Sequence, residues 1–274
     1  MDPCDGLPPS GICLQPGQAV RVRRAQAVCR THAVIDVGVN SNLPPVPLRV
    51  GGMVPMSSLD FPGQLSAVLF CQGCSWRCHY CHNPHLMAVD AEELVSWESI
   101  LDFLDQRRQL LDAVVFSGGE PLLQHSLEPA IDTVREMGFR VALHSSGSIP
   151  ERLAQLLPKL DWVGLDIKAL PADCAAITTI ASSGDKSWQS LRLLLESGVE
   201  HEVRTTVHWG LMSPQQVVAL AARLKCEGVE RFVLQDCRDD HCLNPDLGES
   251  WIDPAELQPL LAELGAMFKQ FSFR

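Results

Sequence analysis

No apolar run in the sequence approaches the roughly 20 residues that a membrane-spanning helix requires, which sets aside a helical membrane protein. Basic charge is also scarce. Against 33 Asp and Glu there are only 22 Lys and Arg, a formal net charge of −11. Duplex nucleic acid and anionic membrane surfaces need a basic face, so neither is expected as the main partner. The N-terminus lacks the basic-then-apolar layout of a secretory signal, and a soluble, cytoplasmic protein is expected. Apolar residues, by contrast, make up 46% of 274 residues, enough to bury a sizeable core in one large domain or two small ones. Cysteine is abundant, with eleven residues. An odd, high count in a secreted chain suggests a disulfide framework with a thiol left over; in a cytosolic chain it points to metal binding or redox chemistry.

Residues 1–52 stand apart. They carry five Arg and three Asp, leaving 17 basic and 30 acidic residues in the remainder. Pro and Gly interrupt every element in "DGLPPSG" and "NSNLPPVPLRVGG", and only "AVIDVGV" resembles a strand. Such a composition offsets its ordering entropy poorly. The segment reads as a disordered or non-core extension, as an upstream start with Met53 the true one, or as a partner-binding arm, with one domain over 53–274.

From Ser57 onward, short apolar runs alternate with helical periodicity. Strands are expected at Ser66–Phe70, Ala113–Phe116, Val141–His144, Trp162–Leu165, Glu202–Val207 and Phe232–Leu234. Between them, sets such as Trp97, Ile100, Leu101 and Leu104, or Val217, Leu220, Ala221 and Leu224, share one helical face. Gly138, Gly198 and Gly228 close several of these helices. Six strand-then-helix units imply a parallel sheet with right-handed crossovers, either open and doubly wound or a barrel with fewer than eight units. In both, reactive residues gather where strands end and loops begin.

The unusual residues lie there. "CSWRCHYC" follows the first of these strands and holds Cys74, Cys78 and Cys81 in the spacing Cys-x3-Cys-x2-Cys. Structural zinc closes four ligands, and a [4Fe–4S] cluster usually takes four cysteines. Three thiolates would leave one iron open to a substrate or cofactor. Cys71 supplies a fourth thiol nearby, so a closed, electron-carrying cluster also fits the sequence; its place at the end of a strand equally fits a small buried residue.

The spacing resembles the signature of radical S-adenosylmethionine (SAM) enzymes. That resemblance implies a [4Fe–4S] cluster on Cys74, Cys78 and Cys81, whose open iron chelates the amino and carboxylate groups of SAM. An electron from the cluster would then cleave the sulfonium bond to give methionine and a 5′-deoxyadenosyl radical. It also implies that Tyr80 lies against the adenine. "SGGEP" follows the second strand, where Gly118 and Gly119 allow close backbone approach and Glu120 adds charge; by resemblance the motif holds the SAM amino group. "HSSGS" matches the position of ribose and carboxylate contacts in related activating enzymes, which makes Ser145 and Ser146 candidates or, otherwise, a Ser-rich turn. In "LDIK", Asp166 and Lys168 alternate with apolar residues and so share one face. They are an internal ion pair or, like the Asp-x-Lys of glycyl-radical activating enzymes, a contact to the SAM carboxylate region. Arg204 suits a carboxylate clamp or a pair with Glu202 or Asp166. His79, His82 and His85 surround the cluster loop, and Cys237 and Cys242 form a weak metal pair or unrelated thiols.

"SSLDFPGQLSAVLFCQGCSWRCHYCHNPHL" resembles anaerobic ribonucleoside-triphosphate reductase activating proteins, notably in "DFPG", "QGC" and "CHNP". The likeness runs from about Ser57 to Phe268. It implies an α/β fold, an incomplete (β/α)6 barrel of the radical SAM type, and a glycine of a partner glycyl-radical enzyme as substrate. No second Cys-rich insert lies between Cys81 and Gly118, so a single cluster is expected, fed by a flavodoxin or ferredoxin. Pro171 to Lys186, polar and helix-poor in part, is a candidate contact loop. The other readings are an activase of the pyruvate formate-lyase type, a radical SAM enzyme acting on a small molecule, and a non-catalytic iron–sulfur or zinc module.

Overall fold

Apolar runs without alternation make strands that are covered on both faces, the usual state of a parallel sheet. The computed structural model, which describes residues 47–92, 94–238 and 242–274, arranges them accordingly. One sheet takes its strands in chain order: β1 (Val50–Ser57), β2 (Ser66–Cys71), β3 (Ala113–Gly118), β4 (Arg140–Ser145), β5 (Trp162–Asp166), β6 (His201–Val207), β7 (Arg231–Asp236) and β8 (Gln270–Phe273). β1 is antiparallel to β2; every later neighbour is parallel. The connections carry α1 (Trp97–Asp105), α2 (Leu127–Glu136), α3 (Pro150–Leu156), α4 (Cys174–Thr178), α5 (Ser183–Ser197), α6 (Pro214–Glu227) and α7 (Pro254–Met267). β2 to β7 are the six expected units, and the sheet stays open, with no pairing of β1 to β8 among the described residues.

Alternation along the strands sorts the two faces. Leu69, Phe116, Leu143 and Leu165 pack with the helices, for example against Ile131, Leu153 and Leu191. Val68, Val115, Ala142 and Trp162 point to the opposite, inner face, closed by Phe61. Phe61 belongs to "DFPG" and stacks on Trp162 with ring centroids 5.7 Å apart. Local signals set the helix limits. α6, for instance, starts with a capping box in which Gln216 N–H donates to Ser213 Oγ and Ser213 N–H donates to Gln216 Oε1.

Three expectations change. Of the segment 1–52, residues 1–46 lie outside the described residues, but the remainder is part of the core: Leu48 is 4% exposed and Val50 fully buried. β1 crosses the expected boundary because an edge strand tolerates the glycines and proline of "VGGMVPMS". β8, four residues long, carried no periodic signal and adds a parallel edge beside β7. The segment 171–186, expected to be polar and helix-poor in part, carries α4 and the start of α5 and packs into the core rather than standing out as a contact loop. It buries Cys174, Ile177, Thr178 and Ser183, and its backbone supports the cysteine loop, with Arg77 N–H donating to Thr178 O and His79 N–H to Ile177 O.

Candidate active site

The cysteine loop leaves β2 and is fixed to its neighbours residue by residue. Gln72, buried, donates from Nε2 to the carbonyls of His85 and Ala88, which brings the far end of the loop back beneath its start. Gly73 N–H donates to Leu86 O at 2.7 Å, while Gly73 O accepts from Glu120 N–H at 2.8 Å. Gly119 N–H donates to Cys71 O at 3.0 Å. "QGC" and "GGE" are thus hydrogen-bonded to each other. A Cβ on Gly118 would stand 2.4 Å from Cys71 N, and one on Gly119 would stand 2.4 Å from Gly73 O. The glycines therefore serve a close approach of protein backbone to protein backbone, and not only of backbone to ligand.

The loop faces a cavity of about 330 Å³ at the carboxyl ends of the strands. Cys74, Cys78, Cys81, Tyr80, Gly118, Gly119, Ser145, Ser146, Asp166, Lys168 and Arg204 all line it. Cys71 does not: it is fully buried in the core, and burial, with Glu120 nearby, pushes its thiol far above the ordinary range. Asp166 and Lys168 do share the inner face, with Nζ 3.2 Å from Oδ2. Burial acts to lower the Lys168 ammonium, but Tyr80, Asp166 and Cys78 outweigh it, and the group stays cationic. Burial pushes the Cys74 thiol up to about 12, with a further contribution from Glu120.

Glu120 differs from its expected place. It is fully buried and does not line the cavity. Its carboxylate accepts from Leu122 N–H at 3.1 Å, Ser145 Oγ at 2.8 Å, Ser146 N–H at 3.0 Å and the Ser146 hydroxyl. Burial raises its pKa, and the hydrogen bonds from Ser146, Ser145 and Leu122 oppose that rise. A carboxylate with four donors is spent on structure: it ties the end of β3 to the end of β4, and with them two walls of the cavity.

Arg204 is held from below. Its Nε donates to Glu202 Oε1 at 2.8 Å, while Nη1 lies 3.2 Å from His144 Nδ1 and Nη2 lies 3.1 Å from His144 Nε2. His144 Nε2 lies 2.7 Å from Asp60 O, which can only accept, so the ring proton sits on Nε2 and Nδ1 accepts from Arg204. Gly164 makes room, since a Cβ there would stand 2.6 Å from the guanidinium carbon. The sequence reading missed His144 and Thr206 as site residues and left the role of Gln235, at the end of its strand, open; all three line the cavity. Thr206 carried a usable signal, because it alternates with Arg204 on one strand; a lone histidine ending "VALH" carried none.

The sequence matches the radical SAM superfamily over residues 68–222. A Methanocaldococcus jannaschii protein, provisionally named a glycyl-radical enzyme activating enzyme, is 30% identical over 208 residues, 70% of this chain and 82% of that protein. The chain belongs to the radical SAM family of glycyl-radical enzyme activating enzymes. The pyruvate formate-lyase-activating enzyme of Clostridium pasteurianum is 33% identical over 130 residues, 46% of this chain and 54% of that one, so the chain matches about half the length of that relative. Streptococcus suis SuiB bound to S-adenosylmethionine has a TM-score of 0.59 at 13% identity, over 74% of this chain and 48% of that one, a likeness of fold.

Radical SAM enzymes use a [4Fe–4S] cluster and SAM, and the residues of this radical SAM cavity fit both. The three thiols on one loop are the donor set a cluster takes, less one. Beside them the Tyr80 hydroxyl is buried without a hydrogen-bond partner among the described residues, and Lys168 Nζ stands 5.6 Å from the Tyr80 ring centroid. No helix among the described residues is long and apolar enough to cross a membrane.

The His144–Arg204 contact gives a pH dependence. Burial, then Arg204, holds His144 well below the usual histidine value, with Arg274 adding to this and Asp60 opposing it. Below about pH 6.5 the unfolded chain takes up a proton that folded His144 refuses. Stability is therefore present above that pH and falls toward the folded pKa, by up to about 1.4 kcal/mol per pH unit. Urea unfolding on either side of that pH should show a smaller acid loss for His144→Gln than for the parent chain. Equal losses in the two proteins would remove His144 as the source.

Proposed function

We propose that this protein places a radical on a glycine of an anaerobic ribonucleoside-triphosphate reductase. The observation that carries the reading is the meeting, in one cavity, of three loop thiols with a cation–anion pair, Lys168 and Asp166, beside them. Cys74, Cys78 and Cys81 would hold the cluster. The amino-acid end of SAM carries one ammonium and one carboxylate, and Asp166 and Lys168 offer the opposite charges. Tyr80 would supply a flat apolar surface with one unspent polar tip. When bound, cluster and SAM together supply one-electron, hydrogen-abstracting chemistry. The chain's own work is to orient SAM, to keep water out with the Phe61–Trp162 floor, and to admit a glycine loop of the partner. An external donor of the flavodoxin or ferredoxin type is part of the proposal, since the sequence provides one cysteine cluster between Cys71 and Gly118.

The reductase assignment rests on the stretch from Ser57 to Leu86, including "DFPG", "QGC" and "CHNP". Its roles are visible in the fold: Phe61 closes the inner face, Asp60 O fixes His144, and Gln72 shapes the cysteine loop. The test is electron paramagnetic resonance of reduced protein, SAM and reductase without oxygen. The expected result is a glycyl doublet that disappears when the reductase glycine is replaced by alanine. SAM cleavage with the doublet appearing only on a formate-lyase-type partner would move the assignment to that sister activity, which the Clostridium pasteurianum relative represents.

A further inference from the structure

Beyond β7 the chain passes Cys237 and returns through Cys242 toward the cysteine loop, where Leu243 N–H donates to Cys81 O and Asn244 N–H to His79 O. This brings together three donors that the cluster does not use. One ring nitrogen of His82, Cys237 Sγ and Cys242 Sγ all lie within 4.8 Å of one another.

We propose that His82, Cys237 and Cys242 form a mononuclear zinc site beside the cluster cavity. The distances favour a single ion. With Zn–S near 2.3 Å and Zn–N near 2.0–2.1 Å, tetrahedral angles put sulfur and nitrogen about 3.6 Å apart. Cys237 Sγ is 3.8 Å from His82 Nε2. The Arg238 carbonyl oxygen is 3.4 Å from Cys237 Sγ and 3.7 Å from Cys242 Sγ, and it also lies against His82 Nε2. Thiolates on a cubane cluster bind different irons and stand farther apart than ligands sharing one ion, so a second [4Fe–4S] cluster does not suit this spacing. A disulfide would leave the convergence of the imidazole unexplained. Two thiolates and a neutral imidazole are the donor class of zinc.

The charge balance is simple. Each thiol loses a proton on binding, so two protons leave per ion, and no electron is transferred. The imidazole must carry its proton on Nδ1, and Nε2 exchanges its contact with the Arg238 carbonyl for the metal. The ion would fasten the end of β7 to the residue that directly follows Cys81, and so set one wall of the cavity. It would also keep two soft ligands from competing for the cluster iron.

The test uses full-length protein isolated without oxygen, carrying its cluster, from zinc-supplemented medium. Metal analysis should find about one zinc per chain, and zinc-edge X-ray absorption should show two sulfurs near 2.3 Å with lighter ligands near 2.0–2.1 Å. Cys242→Ser should lower zinc roughly tenfold or more while iron is unchanged, because a thiolate ligand is lost. Cys242 is only partly buried, so this variant is preferred over Cys237→Ser, which alters a buried position. Zinc absent from the parent protein, zinc retained by Cys242→Ser, or iron lost in place of zinc would each overturn the proposal.

Discussion

Cys78→Ala protein, isolated without oxygen, is expected to contain no cluster and to form no 5′-deoxyadenosine, and Cys74→Ala and Cys81→Ala should match it. Cys71→Ala should keep both. The contrast follows from where the thiols lie. Three line the cavity, and the fourth is fully buried at the end of β2 among core side chains. Removing a cavity thiol takes away one of three protein ligands, and iron should fall from about four per chain to near zero. Removing the Cys71 sulfur leaves only a small void, worth on the order of 1 kcal/mol. Iron analysis and chromatography of the SAM products decide the matter. Should Cys71→Ala lose its iron as completely as Cys78→Ala, the cluster has four thiolates and no iron position open to SAM.

Gly118→Ala should be strongly destabilising, because two separate penalties fall on one methyl group. Gly118 has φ +111°, where an L side chain is strained by roughly 1–3 kcal/mol. Its Cβ would also stand 2.4 Å from Cys71 N and 2.7 Å from Cys71 O. Those are backbone atoms in a paired strand and have nowhere to move, so overpacking adds roughly 1–3 kcal/mol more. Gly63 provides the control. It has φ +76°, and nothing lies within 4 Å of where its methyl group would stand, so Gly63→Ala carries strain alone. Denaturant midpoints of the two variants separate the contributions. Equal losses would show that the contact between the end of β3 and the cysteine loop is not tight.

How much of this was legible depends on what each residue had to signal. The six central strands were, because burial on both faces leaves continuous runs such as "SAVLF" and "AVVF" that nothing else explains. The cysteine loop was, because ligand spacing is a local property. β1 was not: its sequence holds two glycines and a proline, and only pairing with β2 makes it a strand. Glu120 was legible as part of its motif, but its serine partners were not, since they come from a different βα unit. His144 was missed for the same reason, its partners Asp60 and Arg204 being 84 and 60 residues away. Sequence spacing reports ligands that share a loop; it is silent on partners that meet only after the sheet has formed.

The fastening of the cysteine loop has a consequence for what happens when oxygen strips the iron. Gly73, Cys74, Arg77, His79 and Cys81 have backbone N–H groups bonded, in that order, to the carbonyls of Leu86, Met87, Thr178, Ile177 and Cys78, and none of those bonds runs through a sulfur. In a zinc finger the ion is the folding energy, and its loss unravels the chain. Here the loop's shape is set by peptide groups, its own and those of the segments packed against it. A damaged protein should keep its near-native circular dichroism, and repair reduces to re-reducing thiols and resupplying iron and sulfide, with no refolding to wait for.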